Sequence, residues 1–357
     1  MAEFVMQDQP RSVQLWEDGP EVLAVGYGTY HLLDKLDPRS AVESLLAANE
    51  VGVDFIETSD NYGGAELAIG RALQSGDLRR KDVVIATKTG HATSWYDHLE
   101  RSGGGLDVRP EAITEQIEDS LWAMGTRYVD LYQLHGHDPE VDPASQAEAM
   151  HDLVDEGKIK AWGVSNYTRQ ALEQLLEACD QRDLLRPDTL QNTSSVLGDF
   201  DSGAIDLARE VGMTVLARSP LLCGALTNES FDFMLADGLE LQAALKEDAL
   251  SPKQEEYASS LVDAYDTVVK LRERASLAGL SLAQLSLAWV TSQPNTVALN
   301  SMTREEYITE AVDAARTTLS PHLAEIISEL RGHEDAGKRV GQLQTAMAIP
   351  KRYYAKH

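Results

Sequence analysis

Short runs of apolar residues alternate with longer amphipathic segments along most of the chain. The short runs are rich in Val, Ile and Leu, which is typical of buried strands, whereas the longer segments repeat apolar side chains at the spacing of a helix face. In segment 39–50, for example, Ala41, Leu45 and Ala48 form such a stripe. The pattern predicts eight strands, at residues 22–25, 53–57, 83–88, 129–135, 159–164, 189–191, 213–217 and 296–299.

Strand and helix units that alternate in this way predict a parallel sheet covered by helices. Eight units in one domain favour a closed (α/β)8 TIM barrel over an open sheet. The turn Gly26-Tyr27-Gly28 lacks the third glycine of the dinucleotide-binding fingerprint, which argues against a Rossmann fold. We therefore expect a single barrel domain over residues 1–331.

Two segments do not follow this rhythm. Residues 227–270, after the seventh strand, are too many for an ordinary connection, and they are acidic with helical patches at Phe231–Lys246 and Lys253–Lys270. Insertions of this length in a compact domain are often lids over an active site. Residues 332–357 have mixed polarity and a basic end, which predicts a C-terminal tail on the surface.

Charge and composition narrow the classes of partner. A formal charge of −27 argues against nucleic acid and anionic membranes as partners. No apolar run approaches the ~20 residues of a membrane span, and the polar, acidic start of the chain lacks the features of a signal peptide. The two cysteines, Cys179 and Cys223, are typical of a reducing compartment. We expect a cytoplasmic protein that acts on a small molecule, and the sequence leaves its oligomeric state open.

Four side chains that could take part in catalysis lie at or just after the C-terminal ends of predicted strands. They are Glu57, Tyr62, Lys88 and His135. In a parallel barrel these ends converge on one mouth, so the four side chains are expected to meet. A phenol with an ammonium, an imidazole and a carboxylate forms a general acid with groups that tune and orient it, which suits proton delivery to a carbonyl. The nearby His137 does not complete the spacing of a zinc motif, so no metal is expected.

Six blocks of sequence resemble the aldo-keto reductase family, and they follow one another in the family's order between about Val22 and Ala315. They are Gly28-Thr29-Tyr30, Glu57 to Gly63, Ala86-Thr87-Lys88, Gly125 to His135, Glu156 to Asn166 and Ser219 to Thr227. The resemblance implies an (α/β)8 barrel and NADPH-dependent carbonyl reduction without a metal ion. It also implies that Tyr62 is the general acid, that Lys88 lowers its pKa, that His135 orients the carbonyl and that Glu57 pairs with Lys88.

The resemblance also implies a set of binding residues at the mouth of the barrel. Ser165, Asn166 and Gln191 match residues that hold the nicotinamide carboxamide, and Ser219, Leu221 and Gly224 match a loop over the pyrophosphate. Further cofactor contacts are expected from Gly28, Thr29, Arg218, Arg304 and Glu310. Tyr30, Trp95 and Tyr96 are expected to line the substrate pocket.

The chain departs from the family's pattern at several of these positions. Glu57 stands where the family has Asp, which would displace the carboxylate by roughly 1 Å, and a shift of that size can cost about a hundredfold in rate. Arg218 replaces an aromatic residue that stacks on the nicotinamide, and its positive charge opposes the oxidised cofactor. Asn300-Ser301 replaces a Pro-Gly pair, Arg304 is the sole nearby base for a 2′-phosphate, and Ala311 replaces an Asn at the adenine.

Three functions follow from these features. The first is an NADP-dependent oxidoreductase that reduces small aldehydes, ketones or keto-sugars, and it requires nucleotide oxidation with a carbonyl substrate. The second is a non-redox acid–base enzyme, for elimination, dehydration or isomerisation, which would act without added nucleotide. The third is a cofactor-binding regulatory subunit, as in the potassium-channel beta subunits that resemble this family, and turnover by a monomer would exclude it.

Overall fold

The computed structural model describes residues 3–90, 106–232, 239, 242–243 and 252–331. Trp95 and Tyr96, most of the predicted helical patch Phe231–Lys246 and the tail 332–357 lie outside the described residues.

Eight parallel strands form a closed barrel, which confirms the predicted (α/β)8 architecture. Each strand pairs with the next along the chain, and the eighth pairs with the first, Ala298 opposite Val25. The fifth and sixth strands, paired at Gly163 and Thr189, complete the ring. In chain order the barrel strands are Val25–Gly28, Phe55–Glu57, Val84–Thr89, Val129–Leu134, Ile159–Ser165, Thr189–Ser195, Thr214–Arg218 and Thr296–Asn300.

Helices cover the outside of the barrel, and several begin at residues suited to helix capping. Asp37, followed by Pro38, accepts hydrogen bonds from the backbone N–H groups of Arg39 and Ser40, which satisfies donors that the first turn leaves open. Ser281 and Gln284 form a reciprocal capping box. The described α-helices are Leu32–Lys35, Pro38–Glu50, Ala65–Ser75, Pro110–Met124, Pro143–Asp155, Arg169–Arg182, Ser202–Glu210, Pro252–Ala278, Leu282–Thr291, Glu305–Arg316 and Pro321–Arg331, with single 3-10 turns at Arg80–Asp82 and Leu222–Gly224.

An antiparallel hairpin, Ser12–Gln14 with Glu21–Leu23, closes the end of the barrel away from the mouth. The hairpin backbone at Gln14 accepts a hydrogen bond from Thr214, the first residue of the seventh strand. Leu15 and Val22 join the apolar side chains inside the barrel. Val22, which the pattern assigned to the first barrel strand, therefore belongs to the hairpin, and the barrel strand begins at Val25.

Two further short pairings complete the sheet structure. Phe4–Met6 pairs with Thr317–Leu319 in an antiparallel ladder that joins the N-terminal segment to the chain after the eighth strand. Gly198–Asp199 folds back on the end of the sixth barrel strand.

The helix Pro252–Ala278 extends beyond the predicted patch at 253–270. It packs against the helices Leu282–Thr291 and Pro321–Arg331, and Leu261, Tyr265 and Leu271 are buried in the main core. This helix is therefore an integral part of the apolar core. None of the described helices is long and apolar enough to span a membrane.

Candidate active site

Lys88 lies at the centre of a buried polar network at the barrel mouth. Its Nζ forms an ion pair with Glu57 Oε1 and donates hydrogen bonds to Tyr62 Oη at 2.9 Å and to the backbone oxygen of Thr58 at 2.9 Å. Lys88 is fully buried, and Glu57 and Tyr62 are 4% and 7% exposed. The structure thus brings together the carboxylate and the phenol, which lie at and just after the end of the second strand, and the ammonium from the third.

Local chain geometry sets these three side chains. Glu57 ends the second barrel strand and Lys88 lies near the end of the third. Tyr62 follows in a tight turn, where its N–H donates to the Ser59 oxygen at 3.1 Å. Gly63 and Gly64 have φ of 56° and 83°, values that a glycine adopts without strain, so the chain reverses and enters the next helix directly after Tyr62.

The extra methylene of Glu57 does not prevent the ion pair with Lys88. The same carboxylate oxygen accepts a hydrogen bond from Gln191 Nε2 at 3.2 Å, so the sixth strand also holds this carboxylate. Glu57 is therefore fixed from two sides, by a cation and by an amide.

Burial raises the pKa of Tyr62 above its ordinary value, and the Glu57 carboxylate adds to this, while Lys88 and Arg218 oppose the rise. Burial alone would lower the pKa of Lys88, but Glu57 and the Tyr62 phenol raise it above its ordinary value. The lysine thus acts on the phenol in the expected direction, and burial outweighs it. Tyr62 carries its proton at neutral pH, which is the state that a general acid requires.

His135 lies beside this network, one residue beyond the fourth strand. Its ring is 5.9 Å from the Tyr62 ring between centroids, and its Nδ1 is 3.2 Å from Ser59 Oγ. Two hydrogen bonds hold its backbone. The N–H of His135 donates to the backbone oxygen of Thr89 at 2.8 Å, and Asn166 Nδ2 donates to the His135 carbonyl oxygen at 2.8 Å. The imidazole is thus oriented next to the phenol, where a carbonyl oxygen could meet both groups.

Asp60 lies next to these residues, although it was not among the site residues predicted from the sequence. It is 1% exposed, its Oδ1 accepts a hydrogen bond from Ser59 Oγ at 2.9 Å, and its Oδ2 has no hydrogen-bond partner among the described residues. Burial and the nearby carboxylate of Glu66 raise the pKa of Asp60 to about 7. The signal in the sequence that could have indicated Asp60 is the polar run Thr58-Ser59-Asp60 directly after a buried strand. The side-chain contacts of Asp60, however, depend on the turn that follows.

Replacing Asp60 by Asn is expected to change how stability depends on pH. Because the pKa of this carboxyl rises from 3.8 to about 7 on folding, its stabilising contribution is full below the unfolded pKa and is lost as pH rises through the folded value. The free energy of unfolding of Asp60→Asn, taken relative to that of the wild type, should therefore rise by about 2 kcal/mol between pH 5 and pH 8. Urea unfolding at both pH values measures this, with the exposed Asp152→Asn as control, and parallel pH curves would contradict it.

A second cluster of polar groups meets where the fifth and seventh strands end, next to Gln191 in the sixth strand. Ser165 Oγ lies 3.4 Å from Gln191 Oε1 and 3.2 Å from Asn166 Nδ2. Asn166 has a φ of 58°, a conformation that Asn tolerates, which turns the chain at the strand end. Arg218 Nη2 donates to Asn166 Oδ1 at 2.7 Å. A hydroxyl and two amides side by side offer the donors and acceptors that a carboxamide needs.

Other predicted cofactor residues lie around the same rim. Gly28 pairs with Glu57 in the sheet, and the N–H of Thr29 donates to the Glu57 backbone oxygen at 3.0 Å. The Thr29 hydroxyl is buried without a hydrogen-bond partner among the described residues. In the loop after the seventh strand, Ser219 has a φ of 51°, and Gly224 N–H donates to the Leu221 oxygen at 3.0 Å. Strained backbone of this kind is found at ligand clamps.

Arg304 and Glu310 lie apart from the Lys88 network. Arg304 precedes the helix Glu305–Arg316 and pairs with Glu229 at 3.3 Å, with both side chains largely exposed. Glu310 accepts a hydrogen bond from the Ser281 hydroxyl. A nucleotide phosphate at Arg304 would have to compete with Glu229.

Tyr30 is 60% exposed and meets the Tyr62 ring edge to face, with centroids 5.0 Å apart. It therefore lies over the phenol at the mouth, where a substrate would enter. The other expected pocket residues, Trp95 and Tyr96, lie outside the described residues.

Known proteins with similar sequences and structures cover most of the chain. The chain is 28% identical to "Aldo-keto reductase YhdN" of Bacillus subtilis (strain 168), over 78% of this chain and 80% of the relative. It is 26% identical to the "NADH-specific methylglyoxal reductase" of Escherichia coli (strain K12), over 83% and 88%. A crystal structure of an aldo-keto reductase from Klebsiella pneumoniae in complex with NADPH matches with a TM-score of 0.67 at 22% identity, over 92% of this chain and 95% of that one.

The family model described as "Aldo/keto reductase family" matches residues 24–331. This range contains all eight barrel strands and both polar clusters of the mouth. The chain therefore belongs to the aldo/keto reductase family, an oxidoreductase family.

Proposed function

We propose that this protein is an NADP-dependent reductase of a small aldehyde, ketone or keto-sugar, with Tyr62 as the proton donor. The single observation that carries the proposal is the 2.9 Å hydrogen bond from Lys88 Nζ to Tyr62 Oη inside a buried network next to His135. A phenol is a weak acid, so loss of its proton at neutral pH is unfavourable, and the ammonium stabilises the phenolate that remains. Proton transfer by a positioned group of this kind contributes about 10²–10⁴ in rate.

In the proposed reaction each residue has a defined task. Tyr62 Oη donates a hydrogen bond and then its proton to the substrate oxygen, while Lys88 stabilises the negative charge that develops on the phenol. His135 orients the carbonyl from the opposite side, and Ser59, at 3.2 Å from Nδ1, fixes the plane of its ring. Glu57 holds Lys88 within reach of Tyr62. The mouth excludes water around the phenol, since Tyr62 is almost fully buried.

The cofactor would lie along the rim described above. Ser165, Asn166 and Gln191 would hold the carboxamide, and the strained loop containing Ser219 and Gly224 would hold the phosphates. When bound, the reduced nicotinamide supplies the hydride for the carbonyl carbon. Arg304 would read the 2′-phosphate only after leaving Glu229.

Titration of the protein with NADPH and NADH, followed by nicotinamide fluorescence, tests the cofactor assignment first. Saturable binding that is tighter for NADPH is expected. A panel of aldehydes, ketones and keto-sugars should then consume NADPH in proportion to product formed. Tight NADPH binding with no oxidation by any carbonyl on the panel would count against the reductase.

A non-redox acid–base enzyme is the second candidate, and the hydrogen bond between Arg218 and Asn166 Oδ1 favours it. This contact occupies an acceptor that a carboxamide N–H would otherwise use. In such an enzyme Tyr62 and His135 would move protons in an elimination or isomerisation. Turnover by nucleotide-free protein would support this candidate, and strict dependence on nucleotide would exclude it.

A further inference from the structure

Arg218 is a half-buried cation at the mouth, and in the part of the chain that the structure describes few groups neutralise it. Its guanidinium makes one hydrogen bond to a side chain, from Nη2 to the neutral amide of Asn166. Its Nε is buried without a hydrogen-bond partner among the described residues. Within the described residues, no carboxylate lies within ion-pair distance of it.

Among the described residues Arg11 and Arg209 also lack an ion pair, but their guanidinium groups bond to threonine hydroxyls or backbone oxygens. With a formal charge of −27, acidic groups are abundant, and several other arginines face carboxylates at close range, as Arg39 faces Glu43 at 3.0 Å and Arg186 faces Asp180 at 2.5 Å. A buried guanidinium N–H that has lost its water and gained no acceptor carries a desolvation cost of about 1–3 kcal/mol. A ligand that supplies an acceptor there removes this cost.

Arg218 is also connected to the reacting groups. Its partner Asn166 donates to the backbone oxygen of His135 at 2.8 Å, and the charge of Arg218 acts on the Tyr62 phenol. The guanidinium therefore lies on the side of the pocket where the fifth and seventh strands end, next to the proposed carbonyl position. Its planar fork matches the two oxygens of a carboxylate.

We propose that Arg218 binds a carboxylate carried by the substrate, so that the preferred substrates are keto acids or aldehyde acids rather than neutral carbonyl compounds. The preference for acidic carbonyl substrates rests on the proposed reductase function. The binding of the anion itself depends on the Arg218 guanidinium, which Asn166 orients. The negative charge of the protein repels anions at long range, so a local cation such as Arg218 decides where a carboxylate binds in the pocket.

The test compares 4-carboxybenzaldehyde with its methyl ester, a matched neutral aldehyde, in the wild type, Arg218→Gln and Arg39→Gln. Arg39 is an exposed arginine on the outer helix Pro38–Glu50, so its variant controls for loss of one positive charge. We expect the wild type and Arg39→Gln to favour the acid in kcat/KM. Whatever Arg218→Gln loses on the ester, it should lose about 10-fold to 100-fold more on the acid, through KM.

A binding measurement without turnover separates this proposal from the proposed function. Calorimetric titration with benzoate and with benzamide, in the presence of NADPH, should show benzoate binding that Arg218→Gln weakens at least 10-fold. If no carbonyl is reduced but this difference persists, the reductase is wrong and the carboxylate site stands. Equal losses on acid and ester, or benzoate binding unchanged in Arg218→Gln, would overturn the carboxylate site.

Discussion

Tyr62→Phe should lower kcat for carbonyl reduction by about a hundredfold to ten-thousandfold, because it removes the one proton that Lys88 positions at 2.9 Å. The ring is buried and edge-on to His135 and Tyr30, and phenylalanine retains those contacts. The fold and the affinity for NADPH should therefore stay close to those of the wild type. Pre-steady-state NADPH oxidation, beside a fluorescence titration of NADPH, measures both quantities.

Tyr128→Phe provides the matched control for this substitution. Tyr128 immediately precedes the fourth strand, at the end of the barrel away from the mouth. Its substitution should leave kcat within about twofold, since it touches no part of the site. If Tyr62→Phe kept more than about a tenth of the wild-type rate, another group would have to deliver the proton.

Lys88→Met should destabilise the protein by about 3–5 kcal/mol, because it leaves the Glu57 carboxylate buried without its cation. Since the pKa of Lys88 is raised on folding, its contribution is present at neutral pH and is lost only as pH rises through that raised value. The variant should also lose reductase activity by at least a hundredfold, because it removes the cation that is hydrogen-bonded to Tyr62 and stabilises the phenolate most strongly. Urea unfolding at pH 7 and the carbonyl assay measure the two effects.

The double variant Glu57→Gln, Lys88→Met distinguishes a buried unpaired charge from lost packing. Gln keeps the shape of Glu57 and its contact with Gln191 but carries no charge. It should restore most of the stability that Lys88→Met loses, while activity stays low. A double variant as unstable as Lys88→Met would show that packing around the lysine stem, not the charge, sets the cost.

The sequence predicts those elements whose apolar pattern reports burial directly. The fourth strand, Val129–Leu134, is buried at every position and was predicted to within one residue. The sixth strand was expected to be short, at 189–191, yet it continues to Ser195. Its later residues are polar and buried, and side chains such as Asn192, Ser194 and Ser195 bond to the backbone of Tyr167, to Asp199 and to Gly198. Hydrophobicity therefore carries no signal for them.

The site shows the same division between local pattern and long-range contact. Glu57, Tyr62, Lys88 and His135 follow predicted strands, and parallel topology is sufficient to bring them to one mouth. The contact of Asp60 with Ser59, and the lack of a carboxylate beside Arg218 among the described residues, depend on the turns that follow those strands and on which neighbours reach them. A residue's charge is visible in the sequence, whereas the absence of a partner is a property of three-dimensional packing.

The two pairings that join the beginning of the chain to its later part also govern how the protein can fold during synthesis. The first barrel strand, Val25–Gly28, has Thr296–Asn300 as its second neighbour in the barrel. The strand Phe4–Met6 pairs with Thr317–Leu319. Until those segments leave the ribosome, the growing sheet has an open edge on the first strand and an unpaired N-terminal strand whose Val5 and Met6 are apolar. Contacts this distant in sequence form late and slowly. The nascent chain therefore exposes these edges until residues 296–319 have left the ribosome.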